Sequence, residues 1–80
     1  MQIYSAWTLY TSEYESEIRV KSSRCLYVVW VDEDEITLRG PGVEETGSRE
    51  SFPEFDSIED LAIVVVIRFE NSDWPKEDEE

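Results

Sequence analysis

Residues 25–40 read CLYVVWVDEDEITLRG, an apolar run followed by four acids and a second, alternating run. Short segments rich in Val, Ile, Thr and aromatic residues are typical of β-strands. If Val31 lies opposite Ile36, strands at 25–31 and 36–39 pair as a hairpin with one wholly apolar face. A shift of one residue would turn that face to water, so the stretch predicts a hairpin of fixed register. The apolar face comprises Tyr27, Val29, Val31, Ile36 and Leu38.

The segments before this hairpin predict further strands. Because residues 25–31 contain no charged side chain, they predict a central strand covered on both faces. Residues 14–21, YESEIRVK, alternate between apolar or small side chains and charged ones, which indicates a strand with one wet face. Residues 2–10, QIYSAWTLY, predict a strand that forms a hairpin with 14–21.

The segments after the hairpin are more varied. Gly-Pro-Gly at 40–42 ends the strand, and residues 43–55 have no sustained period, which predicts a long loop. Residues 56–61, DSIEDL, predict one helical turn capped by its own Asp or Ser. Residues 62–70, AIVVVIRFE, are dominated by stiff Val and Ile side chains and predict another strand.

These elements predict a mainly β fold, or a β-rich α+β fold. We expect about five antiparallel strands in a small curled sheet or barrel, with at most one short helix near 56–61. The alternative is an α+β arrangement with more helix in 44–61. Residues 1–72 predict a single compact domain, and residues 73–80, DWPKEDEE, predict an acidic, disordered C-terminal tail.

The chain is strongly acidic, with twenty Asp and Glu against seven Lys and Arg and a net charge of −13 at pH 7. Such a charge favours solubility, but it also makes a small folded body repel itself. The few bases are scattered along the sequence, which disfavours direct binding of nucleic acid or of an anionic membrane. A single cysteine, with no signal peptide and no bilayer-length apolar run, predicts a cytoplasmic location, or the host cytoplasm if the gene belongs to a phage.

No catalytic or metal-binding motif is evident. A calcium loop beginning at Asp32 would put Ile36 at a ligand position and Thr37 where glycine is needed. With no histidine and one cysteine, Cys25, the chain lacks the residues for a tetrahedral zinc site or for a Ser-His or Cys-His nucleophile pair. We therefore expect no cofactor, no metal and no enzymatic activity.

The acidic residues fall into groups that suggest a binding surface. If residues 13–17 are extended, Glu13, Glu15 and Glu17 point the same way at intervals of roughly 6.6–6.8 Å, comparable to successive phosphates of a nucleic acid. The simpler interpretation is the wet face of an edge strand, whose charges prevent aggregation. The candidate partner-binding residues are Glu13, Tyr14, Glu15, Glu17, Asp32, Glu33, Asp34, Glu35, Glu44 and Glu45.

In size and charge alone, the chain is similar to the small acidic nucleic-acid mimics that phages and mobile elements direct against host nucleases, including anti-restriction and anti-CRISPR proteins. That resemblance implies a non-enzymatic inhibitor that occupies a basic nucleic-acid-binding surface of a larger protein by steric and electrostatic exclusion. Two alternatives stay open: an antitoxin or immunity protein against a basic nuclease, and a structural or adaptor subunit that assembles through an exposed strand edge. The expected partner is a basic protein, and a homodimer is also compatible with the sequence.

Overall fold

The computed structural model describes residues 3–75, which form one β-sheet and one long helix. The strands are β1 (Ser5–Thr11), β2 (Glu15–Lys21), β3 (Leu26–Asp32), β4 (Glu35–Gly40) and β5 (Val43–Ser48). A short 3-10 helix (Arg49–Ser51) and the helix α1 (Ile58–Glu70) follow. The five strands are antiparallel and lie in sequence order, and within the described residues β1 and β5 are not paired. The predicted class of five antiparallel strands in a small curled sheet is confirmed.

The hairpin of β3 and β4 has the predicted register. Val31 pairs with Ile36, and the predicted apolar face is buried. The same strand also shows an error in the prediction, because β3 is covered on one face only. Val28 and Trp30 are half-buried, and Leu26 is 43% exposed. The apolar run predicted that both faces of β3 would be packed against other elements, but α1 packs against one face only.

The predicted loop at 43–55 is wrong in its first half, which forms β5. Pro41 and Gly42 make a two-residue turn, and Gly42 has a φ of 71°, in the region that glycine adopts at little steric cost. Gly40 then pairs with Val43 across the turn. The Gly-Pro-Gly sequence therefore reverses the chain into one more strand. Residues 44–47, EETG, have weak β-propensity, which explains why the pattern did not reveal it.

The predicted strand at 62–70 is also wrong, because these residues belong to α1. Ser57 caps the helix, as its Oγ accepts hydrogen bonds from the backbone N–H groups of Glu59 at 3.2 Å and Asp60 at 3.4 Å. The low helix propensity of Val and Ile is overridden by packing against the sheet. The buried side chains follow helical spacing and are Leu61, Ala62, Val65 and Val66. Among the described residues, no helix is long and apolar enough to cross a membrane.

The chain leaves α1 through a Schellman-type end. The N–H of Asp73 donates to the carbonyl of Arg68 at 2.7 Å, and Ser72 takes a left-handed φ of 58°. Trp74 then packs edge-on against Phe52, with ring centroids 5.4 Å apart. The start of the predicted tail is thus attached to the core, while residues 76–80 lie outside the described residues.

The two faces of the sheet are unlike. On one face, α1 packs against β1, β2 and β3, while Phe52 and Trp74 extend the apolar layer. Here a Cβ on Gly47 would lie 3.3 Å from the indole of Trp74, so the glycine lets this ring approach β5. No described element covers the other face, which we call the open face. By strand register it carries Ser5, Trp7, Tyr10, Glu15, Glu17, Arg19, Lys21, Leu26, Val28, Trp30, Asp32, Glu35, Thr37, Arg39, Glu44, Thr46 and Ser48.

Candidate partner-binding surface

Two hairpin turns meet at one end of the sheet. The turn between β1 and β2 (12–14) and the turn between β3 and β4 (33–34) are adjacent because β2 and β3 pair, with Glu15 opposite Asp32. A shallow depression of about 140 Å³ lies between them and is lined by both turns. The structure therefore brings Glu13 and Glu15 close to the acids at 32–35. We call this region the acidic tip and define it as Glu13, Tyr14, Glu15, Asp32, Glu33, Asp34 and Glu35.

The first turn is organised by Ser12. Its Oγ accepts hydrogen bonds from the N–H groups of Tyr14 at 3.3 Å and Glu15 at 3.2 Å, and its own N–H donates to the carbonyl of Glu15 at 2.9 Å. Glu13 consequently lies in a turn, so the predicted extended row of Glu13, Glu15 and Glu17 is wrong at its first member. Tyr14 is 66% exposed, which leaves its ring free to contact a partner.

Arg49 holds the second turn by donating hydrogen bonds to two of its backbone carbonyls. The N–H of Arg49 donates to the carbonyl of Asp34 at 2.9 Å, and its guanidinium donates to the carbonyl of Asp32 at 3.4 Å. The N–H of Glu33 donates to Asp32 Oδ1 at 2.5 Å. Within residues 3–75, the ion pairs are Arg19–Glu17 and Arg39–Glu44, and neither involves a carboxylate of the acidic tip.

Three carboxylates of the acidic tip form a row across neighbouring strands. Glu15 pairs with Asp32, and the register that joins Val31 to Ile36 places Asp32 opposite Glu35. Like charges directly opposite each other destabilise a sheet, by about 0.2–1 kcal/mol per pair. The two-residue turn consists of Glu33 and Asp34, so it requires no charge at the strand ends that Asp32 and Glu35 occupy. The row therefore lowers stability without an evident benefit to the fold.

The remaining candidate residues divide between the two faces of the sheet. Glu17 lies on the open face, 3.4 Å from the guanidinium of Arg19. Glu44 lies on the same face, 3.7 Å from Arg39. Glu45 pairs with Leu38 and so belongs to the face that carries the helix. The neighbouring arginines partly neutralise the charges of Glu17 and Glu44. Glu45 lies on the opposite face of the sheet from these two residues.

A depression of about 310 Å³ links the acidic tip with the open face. The guanidinium of Arg39 lies 5.7 Å from the ring centroid of Trp30 in a cation–π arrangement. The three carboxylates of the row and that of Glu44 stand around this aromatic surface. The lining residues are Glu15, Trp30, Asp32, Glu35, Thr37, Arg39 and Glu44. The depression thus combines an apolar floor with an acidic rim.

One carboxylate that sequence reasoning missed is Glu70, at the end of α1. Its Oε1 accepts a hydrogen bond from the hydroxyl of Tyr4 at 2.8 Å, and its Oε2 accepts from Ser22 and Tyr27, each at 2.8 Å. Burial raises the pKa of Glu70, but these hydrogen bonds and the charge of Arg24 outweigh it, so the pKa lies below its ordinary value. The arrangement joins the helix end to β3 and to the segments beside β1 and β2. No sequence signal pointed to it, because the partners are 43 to 66 residues away along the chain.

Burial also acts on the phenol groups that bind Glu70. Burial, together with hydrogen bonds to Cys25 and Glu70, raises the pKa of Tyr27. Burial and the hydrogen bond to Glu70 raise the pKa of Tyr4 as well. Both phenols are therefore neutral donors to the carboxylate at pH 7, and the network is a structural tie.

The described residues contain no group of three or more His, Cys, Asp or Glu side chains arranged to hold a metal ion. Comparisons of the chain with protein families, with curated proteins and with solved structures found no match in any of the three.

Proposed function

We propose that this protein is a non-enzymatic inhibitor that binds a basic nucleic-acid-binding surface of a larger protein, as a nucleic-acid mimic of the anti-CRISPR or anti-restriction kind. The observation that supports it most is the acidic tip. Six carboxylates stand on two adjacent turns and the strand ends beside them, and none of them forms an ion pair within the described residues. An unpaired carboxylate can accept hydrogen bonds from lysine or arginine, as a phosphate does.

The spacing of these carboxylates suits such a partner. Neighbouring strands lie about 4.8 Å apart, so Glu15, Asp32 and Glu35, on three neighbouring strands, repeat a negative charge at about that interval. Such a row can contact more than one lysine or arginine side chain of a basic surface. Exposed Tyr14 supplies an aromatic group of the kind that often anchors a protein interface.

The energetic cost of the tip also supports a role in binding. The row of Glu15, Asp32 and Glu35 lowers stability, while isosteric amides would form the same strand ends without repulsion. Solubility alone requires charge on the surface, but it does not require charges to be opposite each other. A binding function accounts for their concentration at one place.

The mechanism is steric and electrostatic exclusion. The net charge of −13 attracts a basic protein at a distance, and the acidic tip then occupies the groove that would hold DNA or RNA. A cytoplasmic location fits this role, because nucleic-acid enzymes work there. An antitoxin or immunity protein against a toxin nuclease would use the same surface, and the identity of the partner separates the two. Assembly through the edge of β1 is less favoured, because a register irregularity between Thr8 and Tyr10 interrupts that strand, while the other edge strand, β5, has no such irregularity.

The test begins with identification of the partner by pulldown from the native host and mass spectrometry. Displacement of a labelled oligonucleotide from that partner is then measured by fluorescence anisotropy. We compare two triple variants with the same change in net charge. The tip variant is Glu13→Gln, Glu33→Gln and Asp34→Asn, and the control variant, at exposed positions outside the sheet, is Glu50→Gln, Glu54→Gln and Asp56→Asn.

We expect the tip variant to displace the oligonucleotide at least about tenfold more weakly than the native chain, and the control variant to change by less than about threefold. Affinity of the native chain should fall steeply as salt is raised, because screening weakens the attraction. Equal losses in the two variants would show that only net charge matters. Failure of the native chain to displace the oligonucleotide would refute the proposed inhibition.

A further inference from the structure

The open face of the sheet is arranged in rows across the strands. The first row, farthest from the acidic tip, contains Ser5, Lys21 and Leu26. The second contains Trp7, Arg19, Val28, Arg39 and Glu44. The third contains Tyr10, Glu17, Trp30, Thr37 and Thr46. The fourth contains Glu15, Asp32, Glu35 and Ser48.

Charge and apolarity follow these rows. Three of the six Lys and Arg side chains in the described residues lie on the open face, and all three are in the first two rows. The third and fourth rows carry carboxylates and no base. The second and third rows also hold Trp7, Tyr10, Val28 and Trp30, of which Trp7 and Tyr10 are 43% and 49% exposed, while Leu26 lies in the first row. The face therefore has a basic end, an apolar centre and an acidic end.

A surface of this kind is complementary to a copy of itself turned around. If a second copy is stacked face to face, with a two-fold axis running across the strands, the first row faces the fourth and the second row faces the third. Such a two-fold contact is isologous, so each facing pair occurs twice. The facing pairs include Lys21 with Glu15, Arg19 with Glu17, Trp7 with Tyr10, and Val28 with Trp30, while Leu26 faces Asp32.

The alternative stacking has its two-fold axis along the strands, and charge disfavours it. That axis places β2 of one copy over β4 of the other. Arg19 would then face Arg39 of the second copy, and Glu15 would face Glu35. Like charges brought together across an interface weaken it. Only the axis across the strands matches opposite charges while stacking aromatic on aromatic.

We propose that the open face is the interface of a symmetric homodimer whose two-fold axis runs across the strands. Five strands at about 4.8 Å and seven residues at about 3.3 Å give a face of roughly 550 Å² per copy. The total of roughly 1,100 Å² lies at the lower end of specific interfaces, so we expect a dimer in exchange with the monomer. Glu13, Glu33 and Asp34 lie in turns outside the contact, at the two ends of the dimer, whereas Glu15, Asp32 and Glu35 of the acidic tip lie within it. A second copy and the partner of the proposed inhibition would therefore compete for these three carboxylates, and the tests below measure self-association in the absence of that partner.

The first test is a sedimentation-velocity series on the native chain from about 1 µM to about 1 mM, the range of weak specific complexes. We expect the mass to rise from the monomer value of 9.4 kDa toward twice that value. In an NMR dilution series, the backbone resonances that move should belong to the open face and not to α1. A chain that stays monomeric at the highest concentration would overturn the proposal.

The second test exchanges the charges of one facing pair. Lys21→Glu and Glu15→Lys should each weaken the dimer at least about tenfold, and the double variant should return to within about threefold of the native value. Net charge alone predicts that Glu15→Lys strengthens self-association, so a weakening identifies a local contact. Glu54→Lys, at an exposed position outside the sheet, is the matched control and should not weaken the dimer. If the double variant is no better than the singles, the dimer uses another face.

Discussion

Glu70 and the acidic tip carry the same chemical group in opposite circumstances. The carboxylate of Glu70 accepts three hydroxyl hydrogen bonds at 2.8 Å and connects the end of α1 to the sheet side of the molecule. The six carboxylates of the acidic tip form no ion pair within residues 3–75, and three of them stand in a row of like charges. The carboxylates of this chain are therefore of two kinds, one that stabilises the fold and one that the fold tolerates.

The largest expected effect comes from removing the Glu70 carboxylate. Glu70→Ala removes the carboxylate that accepts hydrogen bonds from three hydroxyl groups, and hydrogen bonds to a charged group contribute about 1.5–3 kcal/mol each when intact. Because Glu70 is only partly buried and water can replace part of the loss, we expect the free energy of unfolding to fall by about 2–3 kcal/mol. Urea denaturation measures this change.

The matched control is Glu33→Ala at the acidic tip, which removes the same side chain from an exposed turn. We expect its effect on the free energy of unfolding to stay within about 0.5 kcal/mol, as for most surface substitutions. If the two variants lose the same stability, the distinction between a structural and a tolerated carboxylate fails.

Lowering the pH should reduce the free energy of unfolding by less than Glu70→Ala does. Protonation weakens the hydrogen bonds that the Glu70 carboxylate accepts, but the side chain stays in place. Its hydrogen bonds hold the folded pKa below the ordinary value of 4.5. The contribution of Glu70 is therefore present above pH 4.5 and is lost as the pH falls through the lower folded pKa. We expect Glu70→Gln to lose less stability than the native chain over this interval, when denaturation curves are measured at a series of pH values.

Glu59 provides the control for the pH series. Hydrogen bonds from Thr8 and Ser57 lower its pKa too, so it titrates in the same direction. Glu59→Gln should remove a separate part of the pH dependence and leave the part due to Glu70. An unchanged slope in Glu70→Gln would show that the hydroxyl network does not distinguish the two forms of the carboxylate.

The β-hairpins were predictable from sequence because their pattern is local. The apolar alternation around Val31 and Ile36 admits one register, and the structure has it. From that register and the hairpin that precedes it, the meeting of the two acidic turns follows. Strand β5 was missed because Glu and Gly are depleted in strands and because the Pro-Gly turn resembled the end of a strand.

The helix was hidden by an excess of apolar residues rather than a lack of signal. Six positions follow helical spacing, but further apolar side chains between them erase the contrast between faces and imitate a strand. The six positions are Ile58, Leu61, Ala62, Val65, Val66 and Phe69. The role of Glu70 could not be predicted without the helix, because only the packed helix end brings Glu70 to Tyr4, Ser22 and Tyr27. Tertiary packing decided both, and no single-sequence pattern encodes it.

The smallest expected effect concerns Asp32, at the centre of the row of like charges. Asp32→Asn removes two unfavourable contacts, with Glu15 and Glu35, and keeps the side-chain oxygen that accepts the N–H of Glu33. We expect the free energy of unfolding to rise by about 0.5–1 kcal/mol. Urea denaturation at low ionic strength, where repulsion is screened least, is the suitable measurement.

The control is Glu54→Gln, which removes one exposed charge outside the sheet and should change stability by less than about 0.3 kcal/mol. The decisive comparison pairs stability with displacement of the oligonucleotide from the partner. A gain in stability together with weaker displacement would show that Asp32 contributes to partner binding and destabilises the folded chain. A loss of stability would mean that Asp32 holds the turn, as Glu70 holds the helix end, and would place the acidic row among the structural carboxylates.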